Sequence, residues 1–224
     1  MRDFQQPGRS AVYAANGICA TSHPLAAKTA IAILEAGGNA VDAAIAGAIL
    51  LGICEPQMTG IGGDCFVLVK PAGTEDIIAL NGSGRAPAGL SAEAMRDMGH
   101  RKVPLHGVEA VTVPGAVDAF CRLSSDWGRI GMPAILAPAI RYADDGVPVA
   151  PRVASDWATA APHLSGDARR HYLLDGKVPA PGQIFRAPGQ AEVLRRISDQ
   201  GRAGFYAGEV AADSPDPRLR LAQC

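Results

Sequence analysis

The sequence predicts an α/β fold in layers, with helices packed on a sheet, and three observations carry that reading. Two successive helical stretches, residues 25–36 and 40–51, carry almost no charge. A glycine-rich turn, Gly60, Gly62 and Gly63, follows them, and two apolar runs, 65–70 and 76–80, come next. Neither the helices nor the strands have a clean polar face, so each must be covered by protein, as in a sheet roofed by helices.

Taken in order, residues 2–8 form a polar lead, and a short strand is expected at 18–20. Ser22 stands where an N-cap would, with Pro24 in the first turn, and Gly37-Gly38 ends the helix 25–36. Its two charges, Lys28 and Glu35, lie seven residues apart and so on one side. The helix 40–51 has Asp42 as its one charge and many alanines, with Gly47 inside it, which suits close packing. The uncharged run 43–54 is too short for a membrane span of about 20 residues. The runs 65–70 and 76–80 are joined by 71–75, a loop holding Gly73, as in an antiparallel hairpin. Ser91 is expected to cap a short helix through Arg96, residues 108–113 alternate like a strand, and Pro114-Gly115 open a helix 116–127 stopped by Gly128. Further helices are expected at 132–143, 153–161 and 188–200, a charged loop region with a short helix at 165–177, and one more helix within 204–212. At 214–224 two prolines and two arginines break that pattern.

Composition excludes more than it assigns. A chain of 224 residues can bury a core, and its net charge of -1 provides no electrostatic footprint for nucleic acid or an acidic membrane. Five irregularly spaced cysteines fit neither a disulfide framework nor a zinc site, so reduced, buried thiols are expected. No secretory signal is visible at the N-terminus, and a cytoplasmic location is expected.

The glycine turn has two readings: a tight, buried lead-in to a strand, or a backbone that lines an active site and leaves room for substrate. Both use glycine's access to positive φ and close approach. A phosphate loop is excluded, because no G-x-x-x-x-G-K-[ST] pattern is present and a strand follows. The histidines are scattered, with none at metal-ligand spacing, and no metal or cofactor is expected. Thr21-Ser22-His23 contains a threonine, which serves as a nucleophile when a free α-amine activates it. That would need cleavage before Thr21, whereas a helix cap explains the same residues without it.

Several blocks, in order and at matching spacing, resemble the large subunit of the gamma-glutamyltransferase family: S-H-P-L-A from Ser22, G-G-N-A-V-D-A-A-I-A from Gly37, E-P-Q-M-T-G-I-G-G from Glu55 and V-P-G-A-V-D-A-F from Val113. A-P-A-I-R-Y-A-D-D-G-V-P-V from Ala137 and F-Y-A-G-E-V-A from Phe205 continue the likeness, which spans about 16–212 and leaves 213–224 as a divergent, truncated or frameshifted tail.

The resemblance implies part of an αββα N-terminal-nucleophile hydrolase sandwich, incomplete without its small subunit. In that family a precursor cuts itself, and a threonine that becomes the small subunit's N-terminus forms an acyl-enzyme resolved by water or an acceptor amine. No such threonine motif stands in the matching place, so no catalytic residue is assigned here. The chain alone is expected to be inactive, to expose apolar surface over 40–69 and to aggregate. The implied partner is a small subunit carrying the nucleophile, and the implied substrate is a small acyl amide, of the gamma-glutamyl or glutathione type. Family transpeptidases hold the glutamyl α-carboxylate with an arginine in D-F-R-E-x-A-P. Here N-G-S-G-R-A-P puts Ser83 in that place and Arg85 two positions later, closer in style to the acylase-like branch, so glutaryl-type amides are the alternative substrate. Arg85 is read either as a ligand contact or as a structural ion pair. The alternative to an enzyme part is a catalytically silent remnant or binding fragment.

Overall fold

The computed structural model describes residues 10–87 and 89–213. Two helices, α1 (Pro24–Glu35) and α2 (Ala40–Cys54), pack along one another through small side chains. A Cβ added at Gly47 would stand 3.8 Å from the Ala30 Cβ, so the approach is close without demanding glycine. The cap of α1 is His23 rather than Ser22: its Nδ1 accepts from Leu25 N at 3.2 Å, while Ser22 Oγ turns away to donate to Glu55 Oε2 at 2.6 Å.

α2 begins with a reciprocal cap, which satisfies N–H groups that a helix start leaves without partners. Asn39 Oδ1 accepts from Val41 N and Asp42 N, and Asp42 Oδ2 accepts from Asn39 N at 2.9 Å. Asp42 is fully buried and also accepts from Arg129 N at 3.0 and 3.1 Å, while Asn39 Nδ2 donates to Trp127 O at 2.6 Å. The one charge of α2 therefore ties it to a turn more than eighty residues onward.

The hairpin forms as the sequence predicts. β1 (Cys65–Val69) and β2 (Ile78–Gly82) pair antiparallel, Cys65 opposite Gly82 and Val69 opposite Ile78. Helices cover only one of its faces, contrary to the two-sided burial expected. Cys65, Val67 and Val69 turn towards the core, but Phe66 and Leu68 are 70% and 75% exposed. Within 40–69 the expected apolar exposure is confined to this face, to Met58 and to a groove of about 440 Å³ between α2 and β1; Ile45, Ile49 and Leu50 of α2 are buried.

α3 (Ala92–Asp97) is capped by Ser91, whose Oγ accepts from Ala94 N at 3.0 Å. The strand expected at 108–113 is instead a 3-10 turn, Val108–Ala110, because Ala110 N and Val111 N are satisfied locally by Gly107 O and Val108 O rather than by a neighbouring strand. Residues 18–20 are likewise not a strand; no partner strand lies beside them among the described residues, and Ile18 is exposed.

α4 (Ala116–Trp127) and α5 (Gly131–Asp145) follow, and α5 packs against α2 on one side. A two-residue strand, β3 (Val147–Pro148), which the sequence did not signal, leads to α6 (Pro151–Ala160), a 3-10 turn Ala161–His163 and α7 (Asp167–Tyr172). Its partner β4 (Ile184–Phe185) precedes α8 (Pro188–Gln200), which packs on the other side of α5. The single helix expected within 204–212 divides into α9 (Ala203–Tyr206) and α10 (Gly208–Ala212), because Ala207 is extended and Gly208 takes φ +66°. The core joins Ile45 and Leu50 of α2, Ile135 and Leu136 of α5, and Leu194 and Ile197 of α8. The divergent tail expected from residue 213 lies, beyond Asp213, outside the described residues. Among the described residues no helix is long and apolar enough to cross a membrane.

Candidate functional site

α2 ends at Glu55, whose carbonyl accepts from Met58 N and Thr59 N and so folds the chain into the glycine turn. Three segments then meet. Gly63 O accepts from Gly115 N and Ala116 N, both at 3.0 Å, which pins the start of α4 to the turn. Asp64 Oδ1 accepts from Gly84 N at 2.9 Å and from Thr112 Oγ1 at 3.4 Å. Val113 N donates to Arg85 O at 2.9 Å, and Ser83 N to Asn81 Oδ1 at 2.9 Å. All but the Thr112–Asp64 bond hold backbone, so the N-G-S-G-R loop is fixed before any ligand arrives.

Close approach is needed here, but not at the glycines that first suggested it. A Cβ at Gly84 would lie 1.7 Å from Val113 O, and one at Gly115 would lie 2.2 Å from Gly82 O. At Gly60 and Gly62 a Cβ would meet nothing within 4 Å, and none of Gly60, Gly62 and Gly63 has positive φ. The crowded lead-in belongs to 82–84 and 115. The turn itself lines an open cleft of about 490 Å³, with Pro56, Gly60 and Gly62 on one side and Tyr172, Val193 and Phe205 on the other.

Ser83 and Arg85, the two residues expected to bind substrate, both lie exposed on the fixed loop. Neither side chain has a hydrogen bond or an ion pair among the described residues. The structural ion pair considered for Arg85 is thus not formed among them, and its guanidinium is free to meet an anion.

Thr21-Ser22-His23 does not assemble as a nucleophilic site. Thr21 is exposed, Ser22 is bound to Glu55, and His23 is buried as a helix cap. Burial lowers the His23 pKa, with the Glu55 carboxylate opposing that effect. Burial, reinforced by Glu55, pushes the Cys54 thiol up to about 12, and burial also raises Cys65 and Cys121, so these thiols are held protonated. Cys19, Cys54, Cys65 and Cys121 are free thiols. Among the described residues no group of three or more His, Cys, Asp and Glu side chains could hold a metal ion. One juxtaposition was invisible in the sequence: the rings of His106 and His163 stack, with centroids 4.0 Å apart and planes 13° from parallel.

A family model described as gamma-glutamyltranspeptidase matches residues 26–214. The chain belongs to the gamma-glutamyltranspeptidase family. Curated relatives in it include a glutathione hydrolase-like proenzyme of Bacillus subtilis, 35% identical over 195 residues, covering 84% of this chain and 36% of the relative. An oxamate amidohydrolase proenzyme of Klebsiella pneumoniae is 36% identical over 205 residues, 88% of this chain and 38% of the relative. The chain therefore spans well under half the length of these relatives. Among solved structures, Bacillus halodurans cephalosporin acylase superposes with a TM-score of 0.86 at 42% identity, over 94% of this chain and 41% of that one. The gamma-glutamyltranspeptidase of Helicobacter pylori gives 0.87 at 25% identity, over 95% and 65%. The architecture is the large-subunit portion of the family's N-terminal-nucleophile hydrolase fold.

Proposed function

We propose that this chain is the substrate-positioning part of an amide hydrolase or acyl transferase whose nucleophilic threonine is carried by a small subunit. In this reading the threonine Oγ attacks the amide carbonyl, the amine departs with a proton, and water or an acceptor amine resolves the ester. The chain's own contribution is Arg85. An exposed guanidinium without a carboxylate partner among the described residues, on a loop held by Asp64 and Val113, is the observation that carries the proposal. A planar fork of donors suits a carboxylate. The substrate class is accordingly an amide whose acyl part bears a carboxylate; glutathione and oxamate, named for the relatives, both have one. Gamma-glutamyl and glutaryl-type amides are the first candidates, with the exposed Ser83 as the second substrate-binding residue of the loop.

The test joins residues 1–213 to the remaining chain of the Bacillus halodurans acylase and offers the product gamma-glutamyl, glutaryl and oxamyl amides. Hydrolysis is expected, with KM raised between about tenfold and a hundredfold by Arg85→Ala, as loss of a charged hydrogen bond worth ~1.5–3 kcal/mol requires. A self-cleaved product that hydrolyses none of them would leave the silent binding fragment as the better reading. The chain alone is expected to show no turnover of gamma-glutamyl anilide. Turnover that disappears in Thr21→Ala would overturn the division of labour.

A further inference from the structure

α4 begins at a residue that cannot cap it. A helix start leaves N–H groups without partners, and the residue before it ordinarily supplies a side-chain oxygen for one of them. Here that residue is Gly115, where a Cβ would run into Gly82 O, so no capping side chain fits. Gly115 N and Ala116 N both go to Gly63 O. The Asp118 N–H, the group a capping side chain would bind, goes instead to a hydroxyl 88 residues onward: Tyr206 Oη accepts from it at 3.0 Å. The same hydroxyl donates to Pro114 O at 2.7 Å, so it holds the segment 114–118 at both ends. Burial raises the pKa of the Tyr206 hydroxyl, which therefore keeps the proton it donates.

Tyr206 has a firm mount. It closes α9, whose Phe205 is buried and stands edge-on to the Tyr206 ring, with centroids 4.9 Å apart. A Cβ at Gly204 would run into Arg196 O, so α9 is seated directly on α8. Arg202 stands over the Tyr206 ring, 4.7 Å from its centroid, and pairs with the Asp118 carboxylate. The other end of the tie leads to the candidate site. Pro114 follows Val113, whose N–H donates to Arg85 O at 2.9 Å. The path from the α8–α9 pair to the Arg85 backbone therefore runs through the Tyr206 hydroxyl, the Pro114 carbonyl and the Val113 amide.

We propose that Tyr206 is a positioning residue for the carboxylate-binding loop: its hydroxyl caps α4 in place of Gly115 and fixes the Pro114 carbonyl, and with it the Val113 amide that holds Arg85. The proposal rests on the reading of Arg85 as the anchor of the substrate. Tyr206 acts through backbone, setting the point from which the guanidinium projects. Glycine at 115 lets 82–84 come close enough for the loop to form, at the loss of a local cap, and Tyr206 supplies the missing one.

Tyr206→Phe keeps the ring and its contacts with Phe205 and Arg202 while removing the hydroxyl. Amide hydrogen exchange of the full chain reads the structural half. Protection at Asp118 and Val113 is expected to fall about threefold to tenfold, in the range of one neutral hydrogen bond, while Leu194 and Ile197 of α8 keep theirs. Arg202→Gln spares both hydroxyl bonds and is expected to leave Val113 within about twofold of the wild type. The joined protein described above reads the functional half. For the amide it hydrolyses, KM is expected to rise about threefold to tenfold in Tyr206→Phe with kcat unchanged, and to rise no further when Tyr206→Phe is added to Arg85→Ala. Unchanged protection at Val113, a fall shared equally by Leu194 and Ile197, or an equally large effect of Arg202→Gln would overturn the proposal. So would an unchanged KM, or one that rises equally with and without Arg85. If the joined protein hydrolyses no amide, the reading of Arg85 falls by itself, and exchange at Val113 and Asp118 decides whether Tyr206 holds the loop.

Discussion

Replacing Asp42 by alanine is the most severe test of how this structure is held together. Its fully buried carboxylate accepts from Asn39 N, closing the cap of α2, and from Arg129 N in the turn between α4 and α5. The substitution leaves two backbone donors without their acceptor where no other protein acceptor serves them. Each such orphan costs about 1–3 kcal/mol, so the sum is about 2–6 kcal/mol, with a central value near 4. For a urea dependence of about 2 kcal/mol per molar, the midpoint falls by about 2 M. Urea unfolding followed by tryptophan fluorescence reads this well, because Trp127 O is itself bound by Asn39. Asp42→Asn keeps one carbonyl acceptor and is expected to fall between the two. A loss below about 1 kcal/mol in Asp42→Ala would mean that water replaces the carboxylate and that the tie is not structural.

The remaining predictions concern the loop, the caps and the thiols. Gly84→Ala forces a Cβ against Val113 O and so strains the bonds from Gly84 N to Asp64 and from Val113 N to Arg85 O. It is expected to cost about 2–4 kcal/mol in thermal unfolding, whereas Gly62→Ala, with open space around it, should change stability by less than about 0.5 kcal/mol. Similar losses in both would show that the turn rather than the loop is the crowded part. For His23, whose pKa is lowered in the folded chain, the unfolded state binds the extra proton first. Its contribution is therefore complete above the unfolded value near 6.5 and is lost as pH falls towards the folded value. His23→Asn, which can still accept from Leu25 N, should flatten the urea midpoint between about pH 8 and pH 5, and an unchanged slope would assign it to other groups. Cys54, raised to about 12, should resist alkylation at neutral pH in the folded chain and react on unfolding. Rapid native-state labelling, located by peptide mass spectrometry, would contradict its burial.

Most of the helical layer was legible because its signals are local. Pro24, Ser91, Pro114-Gly115 and Gly128 mark boundaries that the structure keeps to within a few residues, and the family blocks fix the order of elements. Strands were harder, since a strand exists only where another lies beside it. Residues 18–20 and 108–113 have the right side chains but no such neighbour, whereas Val147–Pro148 and Ile184–Phe185 form a bridge from sequences too short to alternate. The candidate site divides along the same line. Arg85 could be singled out from the N-G-S-G-R-A-P block, but its lack of a partner among the described residues depends on everything around it. The crowding at Gly84 depends on a carbonyl 29 positions away in sequence, at Val113, and the His106–His163 stack on a still more remote contact, so neither has any local trace.

The hairpin carries a consequence for how this chain is measured. A two-stranded ribbon is marginal alone, and β1–β2 is supported only from beneath, with Phe66 and Leu68 turned outward. Whatever binds that face in the folded form and not in the unfolded one raises stability by mass action, in proportion to the logarithm of its free concentration over Kd. The melting temperature of the chain is then no fixed property of its sequence. It is the low-concentration limit of a curve, and its rise with an added protein would report, in degrees, how tightly the bare face is claimed.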